Sequence, residues 1–175
     1  SFRGETEYGV REEGGVRALC ARSRDAGSGL FRELEVDLGA TPWIHWSWKV
    51  DAGLHAGDER TRDGDDYPAR VYVVFSGGAA FWRTRAINYV WSSREPAGQT
   101  WPNAFTANAR MIAVRSGSDG TGQWQSERRD VRADYRRIFG EDPGTVDAVA
   151  VMTDTDNGGG TAAACYGDIW FAADR

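Results

Sequence analysis

DGDDYPARVYVVF, residues 63–75, is the stretch on which the fold turns. A cluster of aspartates gives way at Ala69 to a run in which Val71, Val73 and Phe75 alternate with Arg70, Tyr72 and Val74. Alternation of β-branched and aromatic residues with period two marks a strand with one buried face. Two further stretches join apolar strand sequence to carboxylates. AVAVMTDTDNGGG at 148–160 ends in aspartates, and YGDIWF at 166–171 carries one inside it. Carboxylates at the ends of a rigid sheet are placed where binding sites are commonly built.

Working outward, VRALCARS (16–23), LFRELEVDL (30–38), WIHWSWKV (43–50), AINYVWS (86–92), ARMIAVRS (109–116) and VDAVAVMTD (146–154) read as strands too, nearly all bounded by Gly, Pro, Asp or Asn. Short strands at this spacing predict an all-β fold, an antiparallel two-sheet β-sandwich of jelly-roll type, as a single domain over 1–175. One segment departs from that pattern. RRDVRADYRRIF at 128–139 sets Val131, Tyr135, Ile138 and Phe139 on one helical face, with Asp130 as cap and Gly140 as stop. It predicts one short amphipathic helix near 130–139.

Composition narrows the function. With 41% hydrophobic and 27% charged residues the chain is ordinary globular material, and a net charge of −5 lacks the basic footprint that nucleic acid or an anionic membrane requires. No apolar run reaches the ~20 residues of a membrane span, so no transmembrane segment is expected. The opening Ser1-Phe2-Arg3 reads as a processed form, with a secreted or periplasmic location. Cys20 and Cys165 lie near opposite ends, in strand-like sequence. They form either a disulfide closing a very long loop, as in an oxidising compartment, or two buried thiols, and their spacing fits no zinc motif.

Alternation also sorts side chains by face. Ile44, Trp46, Trp48 and Val50 make one face of 43–50, against His45, Ser47 and Lys49, the single lysine. If these strands share a sheet, the face opposite the core collects His45, Lys49, Arg70, Tyr72 and Asn88, with Asp65 and Asp66 at the strand entrance. Such a mixture of donors and acceptors suits hydroxyls or carboxylates. It is equally what the solvated outer face of any sandwich presents. Trp43, Trp82, Trp101 and Trp124 fall in loops or at strand starts, as stacking platforms or as covers for the ends of the sandwich.

Asp154 and Asp156 with Asn157 suggest a hard-cation site, calcium in particular, or Asx turns at a strand end. No EF-hand fits, because the twelfth position lacks glutamate.

DDYPARVYVVF, INYVW, DYRRIFGE and MTDTDN together resemble a bacterial family of exported proteins of unknown function, and the likeness covers nearly the whole chain from SFRGETEY. Family members carry Asn where Asp130 stands and Thr where Gly158 stands. More distantly, the strand layout and closing YGDIWF are similar to the galactose-binding-like jelly rolls of carbohydrate-binding modules. That resemblance implies a structural calcium held by terminal strands, with Asp168 as a ligand, and a saccharide or glycan as partner.

Three functional classes follow. The first is noncatalytic extracytoplasmic glycan binding on the polar face. The second is a polysaccharide lyase using His45, Tyr72, Arg70 and Asn88, or a hydrolase pairing Asp65 or Asp66 with Asp154 or Asp168. The third is a structural or envelope-interaction domain. No GxSxG elbow, P-loop, dinucleotide fingerprint or HExxH helix occurs.

Overall fold

The computed structural model describes residues 4–175; Ser1–Arg3, the first residues of the expected domain span, lie outside the described residues. Eleven strands and one α-helix follow in order: β1 Glu7–Glu13, β2 Val16–Arg24, β3 Gly27–Val36, β4 Trp43–Ala52, β5 Ala69–Phe75, β6 Arg85–Ser92, β7 Thr100–Pro102, β8 Ala109–Ser116, β9 Gln125–Asp130, α1 Val131–Phe139, β10 Val146–Asp154 and β11 Thr161–Ala172.

They form a five-stranded sheet, β1-β2-β11-β4-β9, and a six-stranded sheet, β3-β10-β5-β6-β8-β7. From β2 to β5 the chain crosses between the sheets at every step, and β9, β10 and β11 alternate between them again. The two quartets β2-β11-β4-β9 and β3-β10-β5-β6 are therefore interleaved as in a jelly roll. One pairing departs from the all-antiparallel expectation. β6 and β8 run parallel, because the long connection over 93–108 returns the chain to its starting end before β8 begins.

The core is the space between the sheets. Ile44, Trp46, Trp48 and Val50 from β4 face Val71, Val73 and Phe75 from β5 and Tyr89 and Trp91 from β6, all buried in one cluster. α1 closes one end, where Val131 and Tyr135 enter the same cluster. The Asp130 carboxylate accepts the Ala133 N–H at 2.9 Å and Gly140 turns left-handed at φ 74°, so cap and stop fall as expected.

Cys20 and Cys165 stand directly opposite each other on β2 and β11 and are joined in a disulfide. Trp124 packs over this bridge, and its Nε1–H donates to the Glu13 carbonyl at 2.9 Å.

Candidate functional site

The outer face of the six-stranded sheet is not open. The connections over 53–68 and 93–108 fold across it and bring Tyr67 and Trp101 onto Val90, Met111 and Ala113, a second, smaller apolar cluster. Glu59 is buried within this cover, accepting from the Ser92 hydroxyl and from the Ser93 N–H at 2.6 Å. Polar residues that alternation placed on a solvated face are therefore enclosed: Arg70 is 2% exposed and Asn88 1%.

Arg70 organises what lies beneath. Its Nε donates to Asp154 Oδ1 at 3.0 Å, Nη2 donates to Asp154 Oδ2 and to the Asp65 carbonyl, and Nη1 lies 3.6 Å from Asp65 Oδ2. Its guanidinium carbon sits 4.7 Å from the centre of the Tyr67 ring and 5.8 Å from that of Tyr72. β10 pairs Met152 with Arg70, so Asp154, two residues on, projects from the same face beside the guanidinium. Burial pushes the Asp154 carboxyl up to about 7, against the opposing pull of Arg70. Burial also works against the Arg70 charge, yet Asp154 beside it holds that group well above its ordinary value. Asp65 is raised by burial as well, opposed by Arg70 and by the Asn103 amide.

Asp66 ties the cover to the turn after β10. Its carboxylate accepts the Asn157 N–H at 3.0 Å and the Gly158 N–H at 2.6 Å. Asp66, Asp154 and Asp156 offer oxygens within 4.8 Å of one another, the arrangement a cation would use. Two of the three are already committed, Asp154 to Arg70 and Asp66 to backbone N–H groups. Arg70 thus supplies the countercharge that a metal would otherwise bring. Asp168 lies exposed on β11, in the other sheet from Asp154 and Asp156.

Beside Arg70 a cleft of about 390 Å³ opens between the sheet and the 93–108 connection. Tyr72 and Asn88, directly opposite on β5 and β6, form its base. Asn103 and Phe105 form its lip, and Phe105 is 51% exposed with the Arg62 guanidinium 5.3 Å from its ring centre. Asn103 donates to both Asp65 oxygens at 3.2 Å. Tyr72 donates to the Met152 sulfur at 3.5 Å. The Asn88 amide nitrogen contacts the Met111 sulfur at 3.2 Å, leaving its Oδ1 buried with no partner among the described residues. Asp156 Oδ1 is a second buried acceptor without one. The cleft therefore carries surplus acceptors, and its donors are largely engaged.

The expected residues divide between two places. Arg70, Tyr72, Asn88, Asp65, Asp154 and Asp156 converge on this cleft, with Asp66 just behind. His45 and Lys49 do not join them. β4 belongs to the five-stranded sheet, because the chain changes sheet between β4 and β5; alternation reveals the face of a strand but not its sheet. There His45 stacks on Trp170 with ring centres 5.1 Å apart, and Lys49 pairs with Glu13 at 2.6 Å. The proposed lyase constellation is dispersed accordingly. Of the four loop tryptophans, Trp101 is buried cover and Trp82 is 65% exposed. Sequence reasoning missed Asn103 and Phe105; the only signal was a polar-aromatic pair soon after Trp101.

The fold and its site define a jelly-roll sandwich with a roofed, acceptor-rich cleft on its six-stranded sheet. Within that class, the chain belongs to the family described as Protein of unknown function (DUF3047), whose sequence profile matches residues 1–170. No curated protein matches the chain.

Proposed function

We propose that the cleft beside Arg70 binds a small, donor-rich ligand, a saccharide ring or glycan end, and holds it without turnover. The observation that carries this reading is the side-chain carbonyl oxygen of Asn88, a residue at the base of the cleft, which is buried and has no hydrogen-bond partner among the described residues. A buried acceptor left unpaired costs ~1–3 kcal/mol, and a ligand hydroxyl recovers that cost on binding. Sugar hydroxyls donate, and Phe105 and Tyr72 supply aromatic surface for an apolar ring face. A carboxylate ligand fits less well, since Asp65, Asp154 and Asp156 already crowd the site with acceptors. Acidic glycans are thus disfavoured relative to neutral or amino sugars.

Retention without catalysis follows from how the ionisable groups are used. Asp65 and Asp154 both contact the one Arg70 guanidinium, so neither stands as a free acid facing a free base. The disulfide favours an oxidising, extracytoplasmic compartment, where glycans are the abundant ligands.

The test is retention on a panel of immobilised neutral, amino and acidic glycans. Asn88→Leu and Phe105→Ala should each lose retention while keeping the wild-type circular dichroism. Unchanged retention in both variants, or release of reducing ends or unsaturated product by the wild type, would sink the reading.

A further inference from the structure

Three carboxylates, Asp65, Asp154 and Asp156, line the cleft beside Arg70, and a cation answers only two of them. Asp65 and Asp154 share the Arg70 guanidinium. Asp156 takes part in no ion pair among the described residues, and its Oδ1 is buried with no hydrogen-bond partner among them. The amide next in the chain does not serve it, because Asn157 Nδ2 donates to the Asp65 carbonyl and to Asp66 Oδ1, both at 3.2 Å.

The position of this oxygen is built in. The Thr155 N–H donates to the Ala26 carbonyl at 2.8 Å, fixing the exit of β10 against the start of β3. Gly27 opens β3, and a side chain there would overlap Asp156 Oδ1, so glycine leaves the carboxylate its room. A second, independent observation lies at the base of the same cleft. Asn88, 1% exposed, lines it, and the Asn88 side-chain oxygen is likewise buried without a partner among the described residues. One unanswered charge and one unanswered neutral acceptor therefore border a space of about 390 Å³. That volume stands at the small end of ligand pockets, ~300–1,000 Å³, and suits the end of a glycan better than its middle.

We propose that the ligand of this cleft carries a free amine: the end of a glycan bearing an unacetylated amino sugar, whose ammonium pairs with Asp156 while a ring hydroxyl donates to Asn88. This names the ligand class of the glycan-binding reading above and rests on it. An ammonium has donors and no acceptor, so it meets a carboxylate-lined wall without adding to its surplus of acceptors. Charge-assisted bonds of this kind are roughly twice as strong as neutral ones. A neutral sugar leaves the Asp156 charge unanswered, and N-acetylation removes the charge of the ligand. A hard divalent ion matches less well. Its ~6–8 oxygens would have to include those of Asp66 and Asp154. These are already held by backbone N–H groups and by Arg70.

The experiment measures binding to the whole chain by calorimetry at pH 6, using the β-linked trisaccharides of glucosamine, N-acetylglucosamine and glucose. The glucosamine form should bind about tenfold more tightly than the other two, and the margin should narrow as salt is raised. Asp156→Asn keeps the shape and removes the charge; it should erase that margin while leaving glucose-trisaccharide binding and the circular dichroism unchanged. Glu33→Gln removes an exposed, unpaired carboxylate outside the cleft and should keep the margin whole; its loss there as well would trace the preference to the general acidity of the chain and overturn the proposal. Equal binding of the glucosamine and glucose forms by the wild type, or a margin that survives Asp156→Asn, overturns the amine and leaves the glycan reading standing. No binding of any of the three overturns both. Should Asp156→Asn fail to fold, the wild-type margin and its salt dependence decide. A rise in wild-type melting temperature with calcium alone, absent in Asp156→Asn, would overturn the proposal in favour of a metal.

Discussion

Replacing Arg70 with Met removes the charge around which the cleft is built while keeping most of the apolar stem. The carboxylate of Asp154, 0% exposed at its side chain, would keep only the Tyr67 N–H at 3.2 Å. The two charge-assisted bonds are the buried ion pair itself, whose disruption by removing one partner costs ~3–5 kcal/mol, so a destabilisation of about 4 kcal/mol is expected at neutral pH. Against a typical total of ~5–15 kcal/mol this is a large share. The cost should shrink at pH 5. Arg70 is the chief influence holding Asp154 down against burial, so without it the carboxyl rises further and is buried as a neutral acid. Arg70→Met with Asp154→Leu should recover much of the loss, because no charge is then left unpaired. Urea unfolding followed by tryptophan fluorescence at pH 5 and 7.5 measures all three chains. A single variant costing under ~1 kcal/mol, or a double variant no better than the single, would refute the reasoning.

Three other outcomes follow from the same fold. The disulfide closes a 145-residue separation, worth about 5 kcal/mol by loop entropy, so reduction should lower the urea midpoint sharply; two titratable thiols in unfolded, unreduced protein would show that the bridge is absent. Burial raises the carboxyls of Glu59, Asp65 and Asp154 above their unfolded values, 3.8 for Asp154, so the folded chain holds protons that the unfolded chain releases. Their contribution is full in acid and is lost as pH rises through about 7 for Asp154, so the wild-type melting temperature should be higher at pH 5 than at pH 8; the opposite slope would count against the buried network. Gly64 lies against the Asp58 backbone, where an added methyl would collide with the carbonyl, so Gly64→Ala should cost ~1–3 kcal/mol by overpacking, and a neutral result would argue against the packing of the 53–68 connection.

The strands that could be read from sequence are those with one face in the core. In β5 and β10 the alternation of valines matches burial almost residue by residue, and α1 announced itself through Asp130 and Gly140. β1 and β9 went unread because both are edge strands: EYGVREE and QSERRD carry few apolar residues. β9 is instead secured by Glu127, which accepts from Trp48 Nε1 at 3.1 Å and from Arg115 Nε at 2.6 Å. The candidate site was half legible for a related reason. Period two put Arg70, Tyr72 and Asn88 on one face, and they do meet. It carried no information about which sheet receives β4, so His45 and Lys49 were wrongly joined to them. Nor did it show that two long connections would roof that face. Roofing turns an exposed arginine into a buried one and makes the Arg70 position a poor place to test binding alone.

The central claim is that the Asn88 side-chain carbonyl accepts a ligand hydroxyl in the cleft whose lip is Asn103, and side-chain amide NMR reports this most directly. Titrating the ¹⁵N-labelled chain with a neutral oligosaccharide that it retains should shift the Asn88 and Asn103 side-chain NH₂ signals together with the Phe105 backbone amide, leaving the signals around His45 unmoved. Shifts centred on His45 and Trp170, with Asn88 silent, would contradict the account and move the binding face to the five-stranded sheet.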